Sequence, residues 1–338
     1  MKCSFGFLPD GRETFLYTIQ AGDLTAKVTD FGATLVSLLV PDRTGRVDDV
    51  VLGYDDVTAY ATLDGYLGAT VGRNANRIGG ACFPLEGRTC FVSANEGRNS
   101  LHSGPDGFSH RIWQLHRQEK NSVTFTLHSP HLDQGFPGNA EIAVTYTLDQ
   151  AKRGLVIQYR GISDRDTVFN LTNHSYFNLA GHHNTQWAME QVLILPGRHF
   201  TPADSESIPT GENRNVAGSP MDFRTPHAIG ERIDQDYDAL NLQGGYDHNW
   251  EVFAQPAAIL SDPHSGREMH VITDRPGVQF YSGNYLNNPG KEGIFYHKRS
   301  GVCLETQFYP DSLNKPHWDK PIVEAGQVYR SITAYYFK

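Results

Sequence analysis

Several separated stretches each set a proton-handling or hydrogen-bonding side chain beside glycine or small polar residues. In Asn170–Gly181 (NLTNHSYFNLAG), His174 lies among amides, hydroxyls and aromatic rings. Asn170, Asn173 and Asn178 are poor strand formers, so the segment is more than sheet filler. An imidazole held in one tautomer by such neighbours can exchange protons near neutral pH. In Gly301–Gln307 (GVCLETQ), Glu305 interrupts an apolar run. Alternation puts Val302, Leu304 and Thr306 on one face and Cys303, Glu305 and Gln307 on the other. That second face is polar enough to line a cleft, where a partly desolvated carboxylate gains pKa and becomes a better base. His102 sits in Asn99–Gly104 (NSLHSG), and Gly72–Arg77 (GRNANR) brings Asn76 and Arg77, donors suited to hydroxyls or carboxylates. Asp247 follows a flexible Gly244-Gly245 pair, and Gln279 stands beside Phe280 and Tyr281. Amides, carboxylates and an aromatic face together suit a sugar, whose hydroxyls need paired donors and acceptors and whose C–H face packs on rings.

Each residue taken singly has a plainer reading. His102 is also a solvated loop histidine and His174 a hydrogen-bonded core histidine. Asn76 and Arg77 also suit a salt-bridged strand end, Asp247 a turn, and the two aromatics a sheet core. Other chemistries are less well supplied. His128 and His131, and His182 with His183, form close pairs without a third ligand at familiar spacing, so no metal is expected. No Gly-x-Ser-x-Gly is present, and Gly72–Gly80 lacks the Lys-Ser/Thr of a phosphate-binding loop.

The elements that must position these groups read as strands. The 338 residues include 33 Gly and 18 Pro, which punctuate the chain every ~8–15 residues, as in sandwiches and barrels. Leu35–Val40 is a strand buried on both faces, and Asp49–Leu52 returns after a turn. Asp55–Tyr66 holds a short helix and loop. Cys82–Leu85 and Arg88–Val92 form a hairpin; Val123–Leu127 is a strand. Ile142, Val144, Tyr146 and Leu148 alternate strictly and pair with Leu155–Tyr159 in a second hairpin. Val192–Leu195, Trp250–Phe253, Met269–Thr273, Val278–Tyr281 and Gly301–Thr306 complete the strands. One longer helix is expected from Pro226, with Ile229, Ile233, Tyr237 and Leu240 on one face. With no repeat or linker dividing it, residues 1–338 are expected to form one antiparallel β domain.

A net charge of −9 without a basic run argues against nucleic acid and anionic membrane as partners. No window approaches the ~20 apolar residues of a membrane span, and the N-terminus has no signal-like apolar core. Four cysteines without a CxxC pair fit a reducing cytoplasm.

The set of motifs resembles the aldose 1-epimerase (galactose mutarotase) family. The carriers are GRNANRI at 72–78, NSLHSG at 99–104, GFPG at 135–138, VTYTL at 144–148 and NLTNHSYFNLAG at 170–181. They continue, in the family's order, with GYDHN at 245–249, PGVQFYSGN at 276–284 and GVCLETQ at 301–307, then Pro310-Asp311-Ser312. The resemblance implies an all-β fold, a large antiparallel β-supersandwich with a few short helices. It implies that Glu305 and His174 are catalytic, with His102 the second active-site histidine. Asn76, Arg77, Asp247 and Gln279 would bind the sugar, and no cofactor would be needed. Phe308-Tyr309 stands where other members carry Asn-Trp or similar, a change expected at the rim.

The implied reaction interconverts the α and β anomers of a free aldohexose such as galactose or glucose. Glu305 would take the C1 hydroxyl proton while protonated His174 gives one to the ring oxygen, with roles reversed on closure. His102 and Arg77 would hold hydroxyls and the developing charge; Asp247, Asn76 and Gln279 would fix orientation. Two rivals share the scaffold: a β-sandwich glycosidase using Asp247 and Glu305, and a non-catalytic sugar-binding protein, which has no need of an acid and a base. Neither the preferred hexose nor the oligomeric state is readable.

Overall fold

The computed structural model describes residues 1–338. Its largest sheet has nine strands and runs Gln114–Gln118, Ser122–Ser129, Ala140–Asp149, Gly154–Ser163, Val328–Phe337, Glu268–Thr273, Ala258–Ser261, Val192–Ile194, His227–Ala228. A six-stranded sheet carries Tyr176–Phe177, Val302–Gln307, Gly277–Tyr281, Asp247–Glu251, His199–Thr201 and Arg214–Asn215. The first five strands of the chain form a third sheet. The strict alternation around Val144 appears as a buried row, Ile142 to Leu148, paired in register with Gly154–Ser163. Inward faces of all three sheets meet in one apolar cluster that includes Ile19, Val144, Ile157, Val278 and Leu304. Removing such side chains from water is the main force holding the sheets face to face.

The six-stranded sheet is the platform of interest. Val302 and Leu304 of its strand Val302–Gln307 enter the apolar cluster, as alternation requires. Cys303, Glu305 and Gln307 on the opposite face are also buried, so this face too is covered by other segments.

Three expectations fail locally. The helix from Pro226 to Leu240 does not form. Ile229, Ile233 and Leu240 are buried as its pattern requires, but His227–Ala228 pairs with Val192–Leu193 at the sheet edge and Ile229–Glu231 is a single 3-10 turn. Helix is confined to Asp238–Gln243, closed by Gly244 at φ 65°. Edge pairing satisfies the backbone there, and helices of this length have little stability of their own. The expected strand Asp49–Leu52 lies earlier, at Val47–Asp49. Asp49 accepts from the Leu38 N–H and pairs with Lys291 Nζ at 2.7 Å, and the chain then leaves the sheet, with Val51 bridging to Phe177. Trp250–Phe253 is likewise displaced to Asp247–Glu251, because the register against Gly277–Tyr281 runs from Asp247 to Glu251. The short helix at Val57–Thr62 forms as expected, capped by the Asp56 carboxylate on the Thr58 and Ala59 N–H groups.

Candidate active site

His174 occupies the turn between the two-residue strands Thr172–Asn173 and Tyr176–Phe177. The asparagines that spoil this segment as a strand are its braces. Asn173 Nδ2 donates to the Gly68 carbonyl at 2.8 Å, while its Oδ1 accepts from the N–H and hydroxyl of Ser175. Asn170 Oδ1 accepts from the Phe308 N–H, and Asn178 Nδ2 donates to the Asn184 and Ser300 carbonyls. Each side chain satisfies backbone groups that irregular chain leaves unpaired.

His102 is held by a different device. Its loop and the Asn74–Arg77 loop exchange bonds: the His102 N–H donates to the Asn76 carbonyl, and the Asn76 N–H donates to His102 Nδ1 at 3.1 Å. Ser103 Oγ accepts from the Asn74 N–H and donates to the Asn74 carbonyl. Asn76, His102 and Ser103 all have positive φ, at 61°, 51° and 72°, a conformation costly for residues with a Cβ and sustained by these bonds.

A cavity of about 190 Å³ opens where these elements meet. Asn76, Arg77, His102, His174, Asp247 and Glu305 all line it. Gln279 does not; it stands behind, donating from Nε2 to Asp247 Oδ1 at 2.8 Å. The cavity is smaller than the ~300–1,000 Å³ clefts that take drug-sized ligands, and suits a single sugar ring. His174 Nε2 and Glu305 Oε1 face each other at 3.6 Å, too long for a direct hydrogen bond. Imidazole rings of His102 and His174 lie 5.4 Å apart, edge to face.

Burial dominates the electrostatics. It lowers the His174 pKa to about 4 and pushes His102 well below the usual imidazole range, with His174 and Arg77 adding repulsion. Burial raises Glu305 well above the carboxylate range; the Asp247 charge adds to this and Arg77 opposes it. Glu305 Oε2 is buried without a protein hydrogen bond, so nothing stabilises its charged form from that side. Burial also raises Asp247, against the pull of Arg77 and Gln279. Burial opposes the charge of Arg77, but Glu96 and Asp247 outweigh it and hold its pKa above the ordinary value. Glu96 grips Arg77 with two contacts, 2.6 and 2.8 Å.

Ligand atoms of His102, His174 and Glu305 come within 4.8 Å of one another, close enough to hold a cation. The donor set argues otherwise. The Asn76 N–H occupies His102 Nδ1, so the neutral ring carries its proton on Nε2 and must surrender that bond to ligate through it. The close histidine pairs in the sequence have separate partners: His128 meets Glu141, His131 accepts from Gly138, His182 meets the Tyr296 hydroxyl and His183 lies near Asp48.

Sequence reasoning missed Tyr66, Glu96, Tyr176 and Tyr285 among the lining residues. Tyr176 lies inside the motif of His174 and was legible; nothing local marks Glu96. The two arginines of GRNANR differ, and Arg77 both lines the cavity and makes a strand-end salt bridge, to Glu96. Arg73 is buried away from the cavity and donates to Ser129 and Thr167 and to the Ser129, Pro130, Pro137 and Gly138 carbonyls. It is structural; Arg77 faces the cavity. Phe308 and Tyr309 line no part of it. The Arg275 guanidinium lies over the Phe308 ring at 5.2 Å, and Tyr309 packs edge-on against Trp318.

Known proteins share this arrangement of the whole chain. A family model described as aldose 1-epimerase matches residues 16–336. A galactose mutarotase from Bos taurus is 39% identical over 343 residues, covering 99% of this chain and 98% of its own. An aldose 1-epimerase from Haemophilus influenzae is 39% identical, with 98% and 97% covered. The crystal structure of an aldose epimerase homologue from C. elegans superposes with a TM-score of 0.89 at 29% identity, covering 96% of this chain and 99% of its own. A match of this length, together with the strand order and the grouped motif residues, has one reading: the chain belongs to the aldose 1-epimerase family.

Proposed function

We propose that the protein interconverts the α and β anomers of a neutral aldohexose, galactose or glucose, by acid–base ring opening and closure. One observation carries this reading above the others: His174 Nε2 and Glu305 Oε1, 3.6 Å apart, face a single sugar-sized cavity. Glu305 takes the C1 hydroxyl proton as the C1–O5 bond breaks, and His174 gives a proton to O5. The C1–C2 bond rotates. O5 then attacks the other face of C1, returning its proton to His174, while the carbonyl oxygen regains one from Glu305. His102, with its proton on Nε2, and Arg77 donate to oxygens that gain charge. Asn76 and Asp247, the latter braced by Gln279, orient the ring.

The ring-opening step starts from a charged imidazole and an ionised carboxylate. Burial disfavours both charges, lowering the His174 pKa and raising that of Glu305. A protonated carboxyl beside a neutral imidazole is the state of the pair while the sugar is open. Burial thus favours the two proton transfers that open the ring. Glu96, Asp247 and Glu305 face one guanidinium, Arg77, in this cavity, which disfavours a phosphorylated or acidic sugar. Polarimetry on freshly dissolved α-D-galactose and α-D-glucose, against buffer alone, tests the reading. Binding of either sugar with no faster mutarotation would make the protein a sugar binder; release of reducing sugar from a glycoside would make it a hydrolase.

A further inference from the structure

In the proposed reaction His174 acts through Nε2, and its other ring nitrogen has a separate neighbour. Nδ1 faces Cys303 Sγ at 3.6 Å. Cys303 and Glu305 are two residues apart on one strand, so both project from the same face. The imidazole lies across that face, Nδ1 to the sulfur and Nε2 to the carboxylate. Tyr176 and Tyr66 wall the ring at 5.1 and 5.9 Å between centroids. They restrict its tilt but do not distinguish its two nitrogens.

Resting on the proposed acid–base reading, we propose that Cys303 is the positioning residue of His174, its sulfur accepting from Nδ1–H so that Nε2 is the nitrogen that exchanges protons with the sugar. Proton bookkeeping requires this sense. Nε2 must be able to lose its proton to O5 and regain it, so the neutral ring has to keep its proton on Nδ1. That N–H is buried and needs an acceptor. The opposite holds at His102, where a backbone N–H donates to Nδ1 and fixes the proton on Nε2. One histidine is thereby held as a permanent donor and the other left free to shuttle.

The choice of sulfur has a chemical consequence. A carboxylate behind Nδ1 would stabilise the imidazolium and weaken it as an acid. A thiol is a weak, neutral acceptor, and burial, then Glu305 and Asp247, raise the Cys303 pKa so that it stays neutral. The ring is oriented while remaining a strong acid once protonated, in line with the low pKa of His174, as the weakly basic ring oxygen of a sugar demands.

Long-range proton–nitrogen NMR on protein labelled at histidine, with His174→Asn used to assign the resonances, reads the tautomer directly. At neutral pH His174 is expected as Nδ1–H and His102 as Nε2–H. Cys303→Ala should mix the His174 tautomers and lower kcat by about 10-fold with KM changed less than about twofold. Cys303→Ser, which restores an acceptor, should recover most of the loss. An Nε2–H tautomer at His174 in the unaltered protein would overturn the proposal. So would Ala and Ser variants equally slow with the tautomer unchanged, which would mean that Cys303 only packs. The NMR result stands whether or not the protein turns over sugar; a mutarotation rate no better than buffer would instead sink the acid–base reading on which it rests.

Discussion

The two histidine regions of this cavity are built on opposite plans. His102 is clamped by backbone: two loops trade main-chain and side-chain bonds, three residues with positive φ are held in place, and an N–H donor occupies Nδ1. His174 hangs from side chains: asparagine amides brace a turn between two short strands, and the ring meets a thiol and a carboxylate. The first plan holds one protonation state. The second leaves the ring free to change state without moving. On the proposed mechanism, what stands behind each histidine separates a proton donor to a hydrogen bond from a proton carrier.

If the contrast holds, the largest effect belongs to the carrier and its partner. His174→Asn and Glu305→Gln should each lower kcat by roughly 100-fold or more in a polarimetric assay; near-normal rates in both would dissolve the distinction. Within the clamp itself, the two arginines should separate. Arg73→Met strands several buried carbonyls and should lower unfolding stability by about 3 kcal/mol or more in a denaturant titration. Arg77→Met removes a contact to the half-exposed Glu96; it should cost stability only about 1 kcal/mol while lowering kcat/KM about 10-fold. Equal loss of stability in the two would erase the division between them. An effect of about the same size is expected at the fixed donor: His102→Gln keeps an N–H and should lower kcat only about 10-fold.

The pH profile supplies the finest test. Below about 4, the pKa of His174, both groups of the pair are protonated, no base remains, and kcat/KM should fall. Above the raised pKa of Glu305 neither carries a proton, no acid remains, and it should fall again. His102→Gln should move neither limb by much. A limb that follows His102 would mean that this ring titrates after all.

The parts of the fold that were legible are those with strict period-two burial. Ile142–Leu148 and its partner strand could be read because each side chain meets only its own sheet and the one facing it. The Pro226–Leu240 region was misread because burial of Ile229, Ile233 and Leu240 is equally met by a helix or by successive turns anchored to a sheet edge. Asp247, Glu305 and the two histidines stood out as polar residues in stretches that otherwise read as strand or tight turn. Glu96 did not, since an acidic residue in a polar loop looks the same whether it faces solvent or Arg77.

By itself the chain determined which side chains were available for proton transfer, since an imidazole, a carboxyl and their glycine-rich or asparagine-rich settings are local facts. Folding alone decided their states. The pKa shifts of Cys303, Glu305 and His174 arise only when the strand Val302–Gln307 and the turn at 174 bury one another. Loss of water and the choice of hydrogen-bond partner act through space, between residues more than a hundred positions apart in sequence.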